Sequence, residues 1–291
     1  MNKKLPRAFD ILGNVAIVRF SKEFKLKDKK KFAQDLLKKQ KSIKTVLEKK
    51  GKVKGRLRKQ ETKYLLGEKT KEVLYKENNC VFRFNIDSTY FSPRLSNERK
   101  EIARKIKKND NVLVMFSGVG PYSIVIAKNS KAKKVFSVEI NREANKYAKL
   151  NLELNKVKDK VELIQGDIKK IAGRLKDKKT SDFSQGVEKK SPFSVSRKER
   201  EENKGCPRFD VIVMPRPQLK DSFLREAFIL SKKNTRIYYY DFCEEDKINS
   251  VVEKIKFEAK KFRKKIKILN IKTAGEIAPY KIRVRIDFQV L

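Results

Sequence analysis

From Val112 onward, short apolar runs alternate with segments whose apolar residues recur at helical spacing, a pattern that predicts an α/β fold. The order is a strand (VLVMF), a glycine turn, a helix (YSIVIAKNS), a strand (KVFSVEI), a helix (REANKYAKLNLELN), a strand (VELIQGD) and a helix (IKKIAGRL). It predicts a parallel sheet flanked by helices, with ligands at the carboxyl ends of its strands. A further strand, Phe209–Met214, resumes the sheet. A helix over Asp221–Leu230, a strand (RIYYYDF) and a long basic helix over Glu245–Phe262 follow. Two closing strands, KIKILNIKT and KIRVRIDFQVL, are expected as an antiparallel pair.

Ahead of this region the pattern changes. Phe9–Phe20 reads as two short strands about a Gly13-Asn14 turn, followed by a helix from Asp28, its candidate N-cap, to Lys39. Val81–Ile86 alternates with period two, and Tyr90–Leu95 leads into a helix over Ser96–Ile106. Two domains are predicted: a small basic α+β domain over 1–87 and a Rossmann-like α/β domain over 88–291. The Ser-, Lys- and Glu-rich stretch 177–206 lacks large apolar residues and periodicity, and is expected to be a disordered insertion.

Charge adds a partner class. Lysine and arginine number 75 against 36 acidic residues, a net +39, and such an excess repels itself unless an anionic partner shares the surface. A lysine-rich proteome gives the same composition without that meaning. The segment Lys49–Gln60, KKGKVKGRLRKQ, interleaves cations with short apolar residues, so Lys52, Lys54, Arg56 and Arg58 are candidate phosphate contacts on an exposed hairpin or loop.

Composition also removes classes of chemistry. Three scattered cysteines and no histidine support neither a metal site nor a disulfide framework, and they exclude Ser-His-Asp and Cys-His mechanisms. No apolar run approaches the roughly 20 residues that span a bilayer. A soluble, cytoplasmic monomer is expected.

The candidate ligand site begins where strand VLVMF runs into Phe116-Ser117-Gly118-Val119-Gly120, a turn whose missing Cβ atoms let a ligand lie close to the backbone. The next strand ends at Glu139-Ile140, where a carboxylate can accept from both ribose hydroxyls of an adenosine cofactor. The third ends at Gly166-Asp167-Ile168, placing an acid near the adenine, and the fourth at Met214-Pro215. Ser123 stands where a dinucleotide site would have its third glycine, which favours a cofactor without a pyrophosphate, S-adenosylmethionine. Tyr90, Phe91, Ser92 and Tyr122 are candidates for the wall that receives a substrate base.

The segments Tyr90-Phe91-Ser92-Pro93-Arg94-Leu95 with Asn97-Glu98-Arg99, and Met115–Tyr122, together resemble the archaeal and eukaryotic tRNA (guanine-37-N1) methyltransferase family. Asp10–Val18, Val53–Arg56, Val138–Asn141 and Asp210–Pro215 extend the likeness over nearly the whole chain outside 177–206. The resemblance implies a Rossmann-like class I methyltransferase domain behind the small α+β domain, with S-adenosylmethionine as cofactor and the tRNA anticodon stem-loop as partner. Two departures stand out: a further N-terminal domain found in many members is expected to be lacking, and Met214-Pro215-Arg216-Pro217 replaces an Asn-Pro-Pro or Asn-Leu-Pro turn. Arg216 is the expected substitute for the lost asparagine.

The implied reaction is methyl transfer to N1 of the guanosine 3′ of the anticodon. It needs a base for the N1 proton and a donor for the charge growing on O6. Arg94 is the candidate donor. The motif carboxylates are Glu98, Glu139 and Asp167, of which the last two are assigned to the cofactor. Glu98 therefore joins Arg94 in the candidate catalytic set, while the identity of the base stays open. Competing readings are a wybutosine-pathway transferase that moves the aminocarboxypropyl arm of the same cofactor, methylation of a tricyclic wybutosine intermediate, and a non-catalytic tRNA-binding protein.

Overall fold

Gly13, at φ +55°, and Asn14 turn the first apolar run back on itself, joining β1 (Phe9–Leu12) to β2 (Val15–Val18) as expected. This computed structural model describes residues 9–55, 57, 59–177, 208–215 and 221–291. Helix α1 (Leu26–Lys39) then carries the chain over to β3 (Thr45–Lys54), parallel to β2, and β4 (Lys59–Gly67) returns antiparallel to it. Ala33 and Leu36 of α1 pack on Val18, Val46 and Leu65 of the resulting four-stranded sheet. The basic segment is the far end of the β3–β4 hairpin. Gly51 does not end the strand, because a register shift between Lys50 and Lys54 absorbs it as a bulge.

A second hairpin follows, of which the sequence pattern showed only one arm. Strands β5 (Glu72–Glu77) and β6 (Cys80–Asn85) are joined by Asn78 and Asn79, both at positive φ, the two-residue turn that suits strand twist. Residues 72–85, assigned on sequence to the small domain, pack with the larger one: Val73, Phe82 and Phe84 share a core with Ile102 and Val125.

After a 3₁₀ turn (Pro93–Leu95), the larger domain runs α2 (Ser96–Lys105), β7 (Asn111–Met115), α3 (Pro121–Asn129), β8 (Lys134–Glu139), α4 (Arg142–Leu154), β9 (Val161–Gln165) and α5 (Ile168–Asp177). It continues through β10 (Phe209–Met214), α6 (Leu224–Leu230), β11 (Ser231–Glu244), α7 (Ile248–Lys261), β12 (Ile266–Ala278) and β13 (Lys281–Val290). The seven strands lie in the order β12-β13-β11-β10-β7-β8-β9. All pairs from β9 to β11 are parallel, and β13 enters antiparallel between β11 and β12. The α/β expectation and the antiparallel closing pair are both observed. The expected insertion over 177–206 lies outside the described residues beyond Asp177.

Alternate residues of each strand feed opposite layers. Val112, Val114, Val211 and Val213 face α2, α3 and α4, whereas Leu113, Met115, Ile212 and Met214 face α5, α6 and α7. Helix α4 also completes the second hairpin. Asn151 and Asn155 accept from the amides of Arg83 and Val81 at 2.7 and 2.8 Å, and Asn155 donates to the Val81 carbonyl, so side-chain amides satisfy an edge that another strand would otherwise seek. Among the described residues no helix is long and apolar enough to cross a membrane.

Candidate active site

Strand order reverses between β7 and β10, since β8 and β9 extend the sheet one way and β11 and β13 the other. A cleft at the carboxyl ends of the strands is the consequence of such a reversal. It is present: a cavity of about 1170 Å³, counting its open mouth, is walled by the turns after β7, β8, β9 and β10, the loop before α2, and the near ends of β11 and β13.

The turn after β7 is held by its neighbours. Ser117 donates its amide to the Val138 carbonyl at 3.0 Å, and Gly118 donates its own to Glu139 Oε2 at 2.8 Å. The other carboxylate oxygen, Oε1, accepts from the Asn141 amide at 2.7 Å. Two backbone donors, one to each carboxylate oxygen, fix the orientation of Glu139. Asn141 caps α4 by accepting from the Glu143 amide at 3.0 Å, and its side chain donates to the Ser88 carbonyl, which ties the loop before α2 to the same corner. Asp167 faces the cleft from the turn after β9 and accepts from the Lys169 amide at 3.0 Å.

Two phenylalanines wall the cleft near this corner from backbone conformations unusual for bulky residues. Phe116 (φ 56°) and Phe223 (φ 57°) meet edge to face with centroids 4.8 Å apart. Strain of this kind persists where the surroundings over-determine it and often marks functional sites.

Of the residues expected to hold a cofactor, Phe116, Ser117, Gly118, Glu139, Ile140, Asp167, Ile168 and Pro215 line the cleft. Val119, Gly120 and Met214 do not. Val119 and Met214 are fully buried in the two cores, and Gly120 caps α3 from behind, with φ +88° and Ile124 close to where a Cβ would stand. Of the expected substrate wall, Tyr90, Phe91, Ser92 and Tyr122 line the cleft. Lys52 and Lys54 fall on β3, while Arg56, Arg58 and Arg216 lie outside the described residues.

Neither expected catalytic residue stands in the wall. Arg94 is exposed on the 3₁₀ turn, with its guanidinium 3.8 Å from Asp10 Oδ1 across the surface. Glu98 is buried one layer beneath: Oε2 accepts from Arg285 at 2.6 Å and from the Tyr240 hydroxyl at 3.0 Å, and Oε1 lies 2.9 Å from Lys272 Nζ. A carboxylate held by two cations behind a tyrosine is a structural anion, and it does not reach a base in the cleft. Glu98 is thus paired with Arg285, and Arg94 with Asp10.

Sequence reasoning did not find Arg99, Asn141, Tyr240, Phe242 or Arg283, all of which line the cleft. Arg99 sits over the rings of Phe91 and Tyr122, 5.0 and 5.8 Å from their centroids. Its place in the Asn-Glu-Arg motif was a signal that could have been used.

The residues fit S-adenosylmethionine. A fixed carboxylate stands at the β8 end for ribose hydroxyls, and aromatic faces stand beside it. Two buried polar atoms in the wall, Ser117 Oγ and Tyr122 Oη, have no hydrogen-bond partner among the described residues, and buried groups of that kind ordinarily have one. Burial pushes the Tyr122 phenol up to about 12, which keeps it protonated as a donor.

Comparison with known proteins agrees with this geometry. A model of the TRM5/TYW2 methyltransferase domain matches residues 73–181, and one of the TYW2 N-terminal domain matches residues 1–70. A Nanoarchaeum equitans protein, tRNA (guanine(37)-N(1))/4-demethylwyosine(37)-methyltransferase Taw22, is 34% identical over 98% of this chain and 100% of its own length.

This chain belongs to the TRM5/TYW2 methyltransferase family.

Family membership makes it an S-adenosylmethionine-dependent enzyme, and the family acts in tRNA modification. Trm5b of Pyrococcus abyssi is 31% identical over all of this chain and 77% of its own length. The Trm5b crystal structure superposes with a TM-score of 0.77, at 30% identity, covering 98% of this chain and 76% of that one. A complex of aTrm5 with tRNALeu superposes with a TM-score of 0.76 at 26% identity, covering 98% and 72%.

Proposed function

We propose that this enzyme transfers the methyl group of S-adenosylmethionine to N1 of guanosine 37 in tRNA. The observation that carries the reading is near-complete, end-to-end similarity to a relative named for that reaction, joined to a cleft that fits the cofactor. Gly118, Glu139, Ile140, Asp167 and Ile168 hold the nucleoside portion, and Phe116 and Phe223 wall it. The bound cofactor supplies an activated methyl on a sulfonium, so the protein's work is positioning and charge placement.

Tyr90, Phe91 and Tyr122 form the apolar approach to the reacting nitrogen. The Tyr122 hydroxyl, protonated and buried in the wall, supplies a hydrogen bond in the cleft. The β3–β4 hairpin reaches the same cleft through Leu57, and the cations of its basic segment are the proposed contacts to phosphates of the anticodon stem-loop. Arg94, exposed beside the opening, serves RNA phosphate and not the reacting base.

A second substrate has specific support. The same relative is named also for 4-demethylwyosine at position 37, a tricyclic base that retains the purine framework. We include methylation of that base in the proposal. Transfer of the aminocarboxypropyl arm is the remaining competitor, supported by the N-terminal family match.

One experiment decides among these. Unmodified tRNA transcripts, and tRNA carrying 4-demethylwyosine at position 37, are incubated with S-adenosylmethionine labelled in the methyl group or in the aminocarboxypropyl arm, digested, and the nucleosides identified by mass spectrometry. The expected product is 1-methylguanosine from position 37, absent when that guanosine is replaced. Label arriving only from the arm overturns the methyltransferase reading, and no transfer overturns both.

A further inference from the structure

We propose that Arg283 is a specificity residue of this cleft, presenting its guanidinium to the O6/N7 edge of the purine to be modified. The inference rests on the function proposed above.

Among the described residues, Arg99, Arg283 and Arg285 stand in the cleft wall or directly behind it, and two of these are spent. Arg99 is 1% exposed and holds Glu77 at two points and the Ser92 carbonyl at 3.0 Å. Arg285 is fully buried among Glu98, Glu101 and Asp287. Arg283 lines the cleft, half-buried, with no hydrogen bond or ion pair among the described residues. Its guanidinium lies over the Phe242 ring, 5.1 Å from the centroid, and the two are cross-strand partners of β13 and β11. Stacking of this kind fixes the plane of the guanidinium while leaving its edge donors unused.

Position assigns the ligand. β13 is three strands from β7 across the sheet, about 14 Å at ordinary strand spacing, and farther still from Glu139 on β8. The nucleoside held at Glu139 is thus served by the other half of the sheet, and Arg283 faces what lies beyond it. A guanidinium edge matches the paired acceptors O6 and N7 of guanine and meets a donor on adenine. The buried Tyr122 hydroxyl in the same wall adds a neutral donor. A tricyclic base that keeps these acceptors is read in the same way.

The test pairs a residue with a ligand atom. Single-turnover methyl transfer is measured for wild type, Arg283→Gln and Arg283→Lys on tRNA carrying guanosine or 7-deazaguanosine at position 37, with S-adenosylmethionine affinity followed by calorimetry. Wild type is expected to lose about 10- to 100-fold in rate on the 7-deaza substrate. Arg283→Gln should lose a comparable factor on guanosine and little more on 7-deazaguanosine, with cofactor affinity unchanged; Arg283→Lys should be intermediate. Equal sensitivity of wild type and variants to the missing N7, or no sensitivity in wild type, overturns the assignment. Loss of S-adenosylmethionine binding in both variants overturns it in favour of a contact to the carboxylate of the cofactor. A uniform fall in tRNA affinity with both bases overturns it in favour of a phosphate contact. Absence of any transfer by wild type instead defeats the function on which the inference rests.

Discussion

Arg99 and Glu77 meet inside the protein through two contacts of 2.5 Å each, with side chains 1% and 3% exposed. The pair joins α2 to the hairpin of β5 and β6, and the same guanidinium holds the Ser92 carbonyl and stacks over Phe91 and Tyr122. Three pieces of the cleft wall thus depend on one planar cation. Arg99→Lys keeps the charge and loses the two-point geometry. We expect a lower melting temperature and a fall in turnover exceeding any fall in cofactor affinity, checked by thermal unfolding and by single-turnover kinetics beside calorimetry.

Glu139 lines the cleft, held by the amides of Gly118 and Asn141, and is the proposed partner of the cofactor ribose. Glu139→Gln removes the charge and replaces one acceptor by a donor facing an N–H. Hydrogen bonds to a charged group contribute about 1.5–3 kcal/mol, so S-adenosylmethionine affinity should drop by roughly 10-fold or more. Calorimetry on the folded variant checks this.

Gly13 needs its missing side chain twice over. Its φ is +55°, and a Cβ would stand 1.8 Å from the Leu74 carbonyl oxygen of β5. Gly13→Ala must push the first hairpin off the second, so a loss of more than about 1 kcal/mol is expected. Urea unfolding would show it. Gly51→Ala is the control, because nothing lies within 4 Å of its Cβ position although its φ is also positive.

Acid should weaken the network behind the cleft. The Arg285 hydrogen bond, followed by Lys272, holds the Glu101 carboxyl near 2 against an ordinary value of 4.5. The folded state therefore binds this proton less readily than the unfolded chain. Its contribution is complete above pH 4.5 and is lost as the pH falls toward 2. Denaturant unfolding from pH 6 downward should be less steeply pH-dependent in Glu101→Gln than in wild type.

Much of this was legible in the sequence because strand ends announce themselves. Gly118, Glu139 and Asp167 each follow an apolar run whose length and period mark a parallel strand, and topology then brings those ends together. Arg94 and Glu98 were placed in the site by motif alone. A motif does not say which way a side chain leaves a short helical turn, and here one faces water and the other the core. The arginines of KIRVRIDFQVL show the reverse limit. Period two suggests that Arg283 and Arg285 share an exposed face, yet at Arg285 that face is covered by α2, whose Glu98 and Glu101 neutralise it, while Arg283 opens on the cleft. The β5 arm escaped notice because Glu72, Lys76 and Glu77 interrupt its apolar pattern, although Asn78-Asn79 marked the turn.

The place of β13 in the sheet has a consequence for synthesis. Domains generally fold as units during synthesis, and this strand follows every other strand of the sheet in sequence while lying between β11 and β12. A nascent chain that has reached β12 holds Glu98 without Arg285 and a cleft without Arg283. The buried charge balance around Glu98 and the cleft wall at Arg283 therefore wait on the segment that fills the gap between β11 and β12.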